Sequence, residues 1–181
     1  MSHPLIDAGG AAQGVSAARI LGLIGDELAA TEEVLRSRLA SDVPFIQKAG
    51  EYLRYKSALP PKLSEFAILI VARRWTQQYE WHVHRPIAER AGVPAEHIRA
   101  VAEGRRPDGM AADEAVVHDF LQELQVNRAV SDTTYGRIVE LFGERGVIDL
   151  CGLCGYYSLL AMVMNVARTP LPAGVAPPLV P

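Results

Sequence analysis

The stretch Trp75-Thr76-Gln77-Gln78-Tyr79-Glu80-Trp81-His82-Val83-His84 places two amides, a carboxylate, a phenol and two imidazoles directly after the apolar run Phe66 to Ala72. On a helix, Gln77, Glu80 and His84 share one face, with Glu80 and His84 one turn apart. A carboxylate at that spacing raises the basicity of an imidazole and holds one tautomer. Flanked by Tyr79 and Trp81, Glu80 is expected to be partly buried, which pushes a carboxyl upward. If the helix runs unbroken from Arg73, its guanidinium joins the stripe. Cation, amide, acid and imidazole in line would hold an anion and move a proton. The competing reading is a solvated helix face whose ion pair contributes little.

Glu65 is the second notable carboxylate, because the apolar run begins beside it. Its bland reading is a first-turn acid favoured by the helix dipole. In one straight helix it would stand ~28 Å from His84 at about 1.5 Å per residue. A shared site for the two therefore needs a chain reversal or a second subunit. The two cysteines form Cys151-Gly152-Leu153-Cys154 within an apolar segment. Redox work needs an accessible, low-pKa thiolate. The flanks Leu150, Leu153 and Tyr156 instead point to packing thiols, with Gly152 and Gly155 permitting close helix approach. His82 points off the Glu80–His84 face, and His3, His97 and His118 receive no role. No metal site is expected, since His82 and His84 at i,i+2 do not converge.

Helices must position these groups. Apolar periodicity predicts a helix from Ser16 to Leu39, and Ser41-Asp42-Val43-Pro44 opens a second to about Tyr55. Pro60-Pro61 restarts the chain into helices over about 62–74 and 77–91, with a kink expected at Pro86. Ala91-Gly92-Val93-Pro94 is a helix stop, and a short helix over 95–103 ends at Gly104. Further helices are expected from Asp113 to Asn127, from the Ser131-Asp132 cap to about Gly143, and over about 145–168. No strand alternation and no phosphate-binding glycine loop is seen. The expected organisation is a flexible arm over 1–15, one all-α domain over 16–168 and a Pro-rich tail over 169–181 that drapes over the surface or a neighbour.

At 181 residues, 49% apolar and 22% charged, the chain has the composition of one globular domain. A net charge of −3 without basic clusters argues against nucleic acid. The N-terminus has no secretory pattern, so a cytoplasmic location is expected. Residues 147–166 approach membrane-spanning length, but Asp149, Ser158, Asn165 and two glycines interrupt them. A core or subunit-interface helix is expected there, with no membrane partner.

From Leu63-Ser64-Glu65-Phe66-Ala67-Ile68-Leu69 through Tyr79-Glu80-Trp81-His82-Val83-His84, the chain resembles the carboxymuconolactone decarboxylase family, which includes the alkylhydroperoxidase D-like proteins. The likeness runs from about Tyr52 to Pro172 and takes in Gly155-Tyr156-Tyr157. It implies an all-α, AhpD-like fold and a homo-oligomer, a trimer or hexamer or else a dimer. Peroxidase-type members carry a glutamate, eleven residues, C-x-x-C, three residues and a histidine. Glu65 and His84 match the ends of that pattern, while Gln77 and Glu80 stand where the cysteines belong. Disulfide-reducing chemistry at that position is therefore lost.

What the resemblance then implies is a lyase or isomerase without cofactor, acting by acid/base chemistry on a small carboxylated ring or lactone. Glu80 and His84 are the proton-transfer pair, Glu65 supports them, and Arg73, Gln77, Tyr79 and Trp81 are candidates to bind substrate. Two other functions stay open: a thiol peroxidase or disulfide reductase using Cys151 and Cys154, and an oligomeric small-acid-binding protein without turnover.

Overall fold

The computed structural model describes residues 43–180, with side chains from Lys48 onward except at 167. The arm over 1–15 and the helix expected from Ser16 to Leu39 lie outside the described residues. The rest is six helices and, among the described residues, no strand: α1 Val43–Tyr55, α2 Pro61–Arg74, α3 Gln78–Arg90, α4 Ala95–Ala102, α5 Ala112–Asn127 and α6 Asp132–Ala167. The all-helical class expected from the sequence is the class found.

α2 is the axis of the fold and packs against each of the other five helices. Its sequence explains this, since a helix apolar on every side can sit only where it is covered on every side. Phe66 through Ala72 are each at most 2% exposed. Pro61 occupies the first turn, where its missing N–H costs nothing.

At its C-terminal end α2 closes in a Schellman arrangement. The Gln77 N–H bonds to the Ala72 carbonyl at 2.8 Å, and the Thr76 N–H to the Arg73 carbonyl at 3.0 Å. The left-handed residue at the cap is Thr76, with φ 47°. A β-branched side chain there is strained, and glycine is the usual occupant. Gln77 then caps α3 by accepting from the Glu80 N–H at 2.9 Å. Two helices thus replace the unbroken stripe, and α3 folds back along α2. The expected kink at Pro86 does not end the helix, because α3 continues to Arg90.

The other stops fall where the sequence marks them. α3 ends at Gly92 and α4 at Gly104, both with positive φ. α6 is two helical segments joined at Gly143, whose φ of 67° and ψ of 179° break the helical path. By length and composition it is also the one described helix apolar enough to cross a bilayer. Its C-terminal part buries Leu150, Leu153 and Tyr157. Asp149, only 1% exposed, accepts from the Tyr52 hydroxyl at 2.8 Å and the Ala58 N–H at 2.6 Å. A Cβ on Gly152 would stand 3.3 Å from Leu53 of α1, whereas one on Gly155 would meet nothing among the described residues. Among those residues, the first of these glycines serves close packing and the second does not.

The tail is pinned rather than merely draped. The Gln78 carboxamide donates to the Leu179 carbonyl at 2.8 Å and accepts from its N–H at 3.0 Å. Leu179 itself is 2% exposed, within the core. Burying one leucine is worth about 1.5–3 kcal/mol. Truncation after Val175 is expected to lower stability by about that amount in urea denaturation. Thr76→Gly is expected to leave stability unchanged or raise it by up to about 1 kcal/mol, as relief of strain outweighs backbone entropy.

Candidate active site

Glu65 lies on the second turn of α2, so the reading as a first-turn acid held by the helix dipole is corrected: no acid occupies that first turn. Its partner is on α3. Glu65 Oε2 is 2.8 Å from His84 Nδ1, across the reversal at Thr76. Both side chains are largely enclosed, 13% and 6% exposed. With Glu65 ionised, Nδ1–H donates to the carboxylate. That fixes the tautomer and leaves Nε2 as the nitrogen able to exchange a proton.

The face of the imidazole is fixed as well. The Tyr157 ring meets it edge-on, with centroids 5.1 Å apart. The Tyr157 hydroxyl accepts from Arg54 Nε at 3.2 Å. Burial is the main cause that pushes this phenol up to about 12, so Tyr157 stays protonated. Tyr157 and Arg54 were not singled out for this role by the sequence. They come from α6 and α1, remote from the motif in the chain, and only the familiar Gly155-Tyr156-Tyr157 hinted at the first.

Glu80 differs from the pair drawn from spacing. It makes no ion pair with His84, whose carboxylate is Glu65. It is 3% exposed, and neither carboxylate oxygen has a hydrogen-bond partner among the described residues. Desolvation alone pushes the carboxyl up to about 8. At neutral pH Glu80 is therefore a carboxylic acid, one turn from an imidazole that a second carboxylate holds.

Of the remaining candidates, Gln77 is 3% exposed and is committed twice. It caps α3 and donates to Asn165 Oδ1 of α6 at 3.3 Å. Trp81 is 1% exposed and belongs to the core, and Tyr79 is half-buried. Arg73 does not share a stripe with Gln77 and Glu80, because the helix ends between them. It lies eight residues along α2 from Glu65, about 12 Å at the helical rise, and lines a separate pocket. Cys151 is exposed and Cys154 buried, and both are free thiols. Burial pushes both up, while Gln125 donates to the Cys154 sulfur at 3.6 Å. Thiols held protonated are poor nucleophiles.

A carboxylate–imidazole pair thus lies one turn of α3 from a buried carboxyl without a partner among the described residues. Residues 44–119 match the carboxymuconolactone decarboxylase family. The matched stretch runs from α1 into α5 and includes Glu65, Glu80 and His84. The likeness drawn from the sequence to Pro172 extends further than the match, which stops before Tyr157. No curated protein and no solved structure matches the chain.

The state of Glu80 has a measurable signature. Its carboxyl is raised in the folded protein, so between about 4.5 and about 8 the folded state binds more protons than the unfolded state. Stability then falls as pH rises through that window and levels off above it. Melting temperatures of the wild type are expected to decline from pH 5 to pH 8.5, and those of Glu80→Gln to decline much less. Parallel curves would show that Glu80 is ionised in the folded protein at pH 7.

Proposed function

We propose that this carboxymuconolactone decarboxylase-like chain is a cofactor-independent lyase or isomerase acting on a small carboxylated ring or lactone. One observation carries the reading: Glu80 is a buried carboxyl without a partner among the described residues, pushed to about 8, one turn along α3 from a histidine anchored by Glu65. An enclosed, unpaired acid costs stability. It is an asset where a proton must be delivered at neutral pH.

In decarboxylation of such a substrate, the bond from the ring carbon to the carboxylate breaks and carbon dioxide leaves. The electron pair stays on the ring and delocalises into the unsaturated lactone. A proton from Glu80 or His84 then closes the new C–H bond, and solvent restores the donor. Arg54 is the cation joined to this cluster through Tyr157, and we assign it, rather than Arg73, to the substrate carboxylate. Glu65 orients His84 and keeps Nε2 available.

Glu80→Gln and His84→Ala are each expected to lower turnover of carboxymuconolactone or a related carboxylated lactone by at least about 100-fold, with helicity retained. Release of carbon dioxide is the readout. Because Glu80 works as an acid, activity should fall as pH rises through about 8. Full turnover in both variants overturns the reading, and saturable binding without product makes the chain a binding protein.

The same reading includes self-association. Ile148, Leu159, Met162 and Val166 are exposed by 69%, 40%, 41% and 83%, and with Gly152 and Gly155 they recur every three or four residues along α6. Such a stripe suits a second copy of the helix. Light scattering should report an oligomer that Leu159→Arg dissociates, and a wild-type monomer overturns this part.

A further inference from the structure

At the end of α2 opposite the Glu65 site, a pocket of about 220 Å³ is lined by Arg73, Arg74 and Arg105, with Thr76, His118 and Gln122 beside them. Ile70 and Val101 form its apolar floor. Three guanidiniums converge there from α2 and from the segment after α4. Arg105 is bonded to Glu103 at the surface. Neither Arg73 nor Arg74 has an ion-pair partner among the described residues, and Asp119, next to His118, is engaged by Arg106 at 3.1 Å and Arg137 at 3.6 Å.

Arg73 is positioned rather than free. Its Nη1 donates to Thr76 Oγ1 at 3.3 Å, an oxygen supplied by the strained reversal residue. On the other side its guanidinium rests against Gly104, where a Cβ would come within 3.4 Å of Nη2. Its Nε is buried without a hydrogen-bond partner among the described residues. A favourable charge at a helix C-terminus needs only an exposed cation. Neither the Thr76 brace nor an enclosed, unpartnered Nε is required for that, whereas both suit a guanidinium fork presented to an oxyanion. The volume is below that of pockets for drug-sized ligands, so the ligand is small.

We propose that this pocket is a second binding site, for a small oxyanion of the phosphate class, either inorganic phosphate or a short phosphate monoester. Arg73 grips it from the floor, and Arg74 and Arg105 close on it from the rim. This site is independent of the lyase reading and stands if that reading fails.

The test titrates the full chain with inorganic phosphate, with glycerol phosphate and with sodium chloride at matched ionic strength, followed by calorimetry and by thermal shift. Saturable binding of either phosphate, absent with chloride, is expected. Arg73→Gln should weaken it by at least about tenfold, and Arg90→Gln on a remote surface should leave it unchanged. Should Arg73→Gln not fold, the exposed pair Arg74→Gln/Arg105→Gln reads the same loss. Tighter binding of glycerol phosphate identifies a monoester site, and equal affinity a site for the free ion. A phosphate response no larger than that of chloride, or one unchanged in both the Arg73 variant and the rim variant, overturns the proposal.

Discussion

A carboxylate on α2 meets an imidazole nineteen positions later because the chain turns back on itself within three residues. Trp75, Thr76 and Gln77 perform that reversal through two backbone hydrogen bonds and one residue held in the left-handed region. Much else depends on it. The amide that caps α3 also reaches Asn165 near the end of α6, and Asn165 in turn donates to the Trp75 carbonyl at 2.9 Å. Reversal, cap and the far end of the longest helix are therefore one hydrogen-bonded unit. The placement of Glu65 opposite His84 follows from that unit.

Glu65 and Glu80 sit in different surroundings. Glu65 has a partner in His84 and retains a slight opening to solvent. Glu80 has neither partner nor solvent, which supports the neutral form. Tyr157 meets the imidazole edge-on, and its hydroxyl accepts from Arg54.

Helix punctuation was legible in the sequence, because it depends on local chemistry. Pro60-Pro61, Gly92 before Pro94, Gly104, the Ser131 cap and Gly143 each act within a turn of their own position, and the helices start and stop accordingly. Partnership was less legible. The pairing of Glu80 with His84 followed from helical spacing, yet tertiary contact gave His84 to Glu65 instead. Thr76 hid the reversal, since a β-branched residue in the left-handed cap carries none of the signal a glycine would. The possibility of a chain reversal between Glu65 and His84 was visible as a requirement, but its location was not. Tyr157 and the Gln78 grip on Leu179 lie far along the chain from their partners, and no local pattern encodes them.

α2 also explains why chemistry gathers where it does. A helix covered on all sides cannot carry polar side chains along its middle, because each would be desolvated without a partner. Its polar residues are therefore confined to the ends. Lys62 and Glu65 stand near the first turns, where Lys62 pairs with the buried Glu114 at 2.8 Å and Glu65 with His84. Arg73 and Arg74 stand at the last turn, beside Gly104 and His118. The apolar run Phe66 to Ala72 thus both builds the core and divides the molecule into an acid/base end and a cationic end. The two ends are joined by this packed helix and by the reversal at Thr76, which both braces Arg73 and returns α3 toward Glu65.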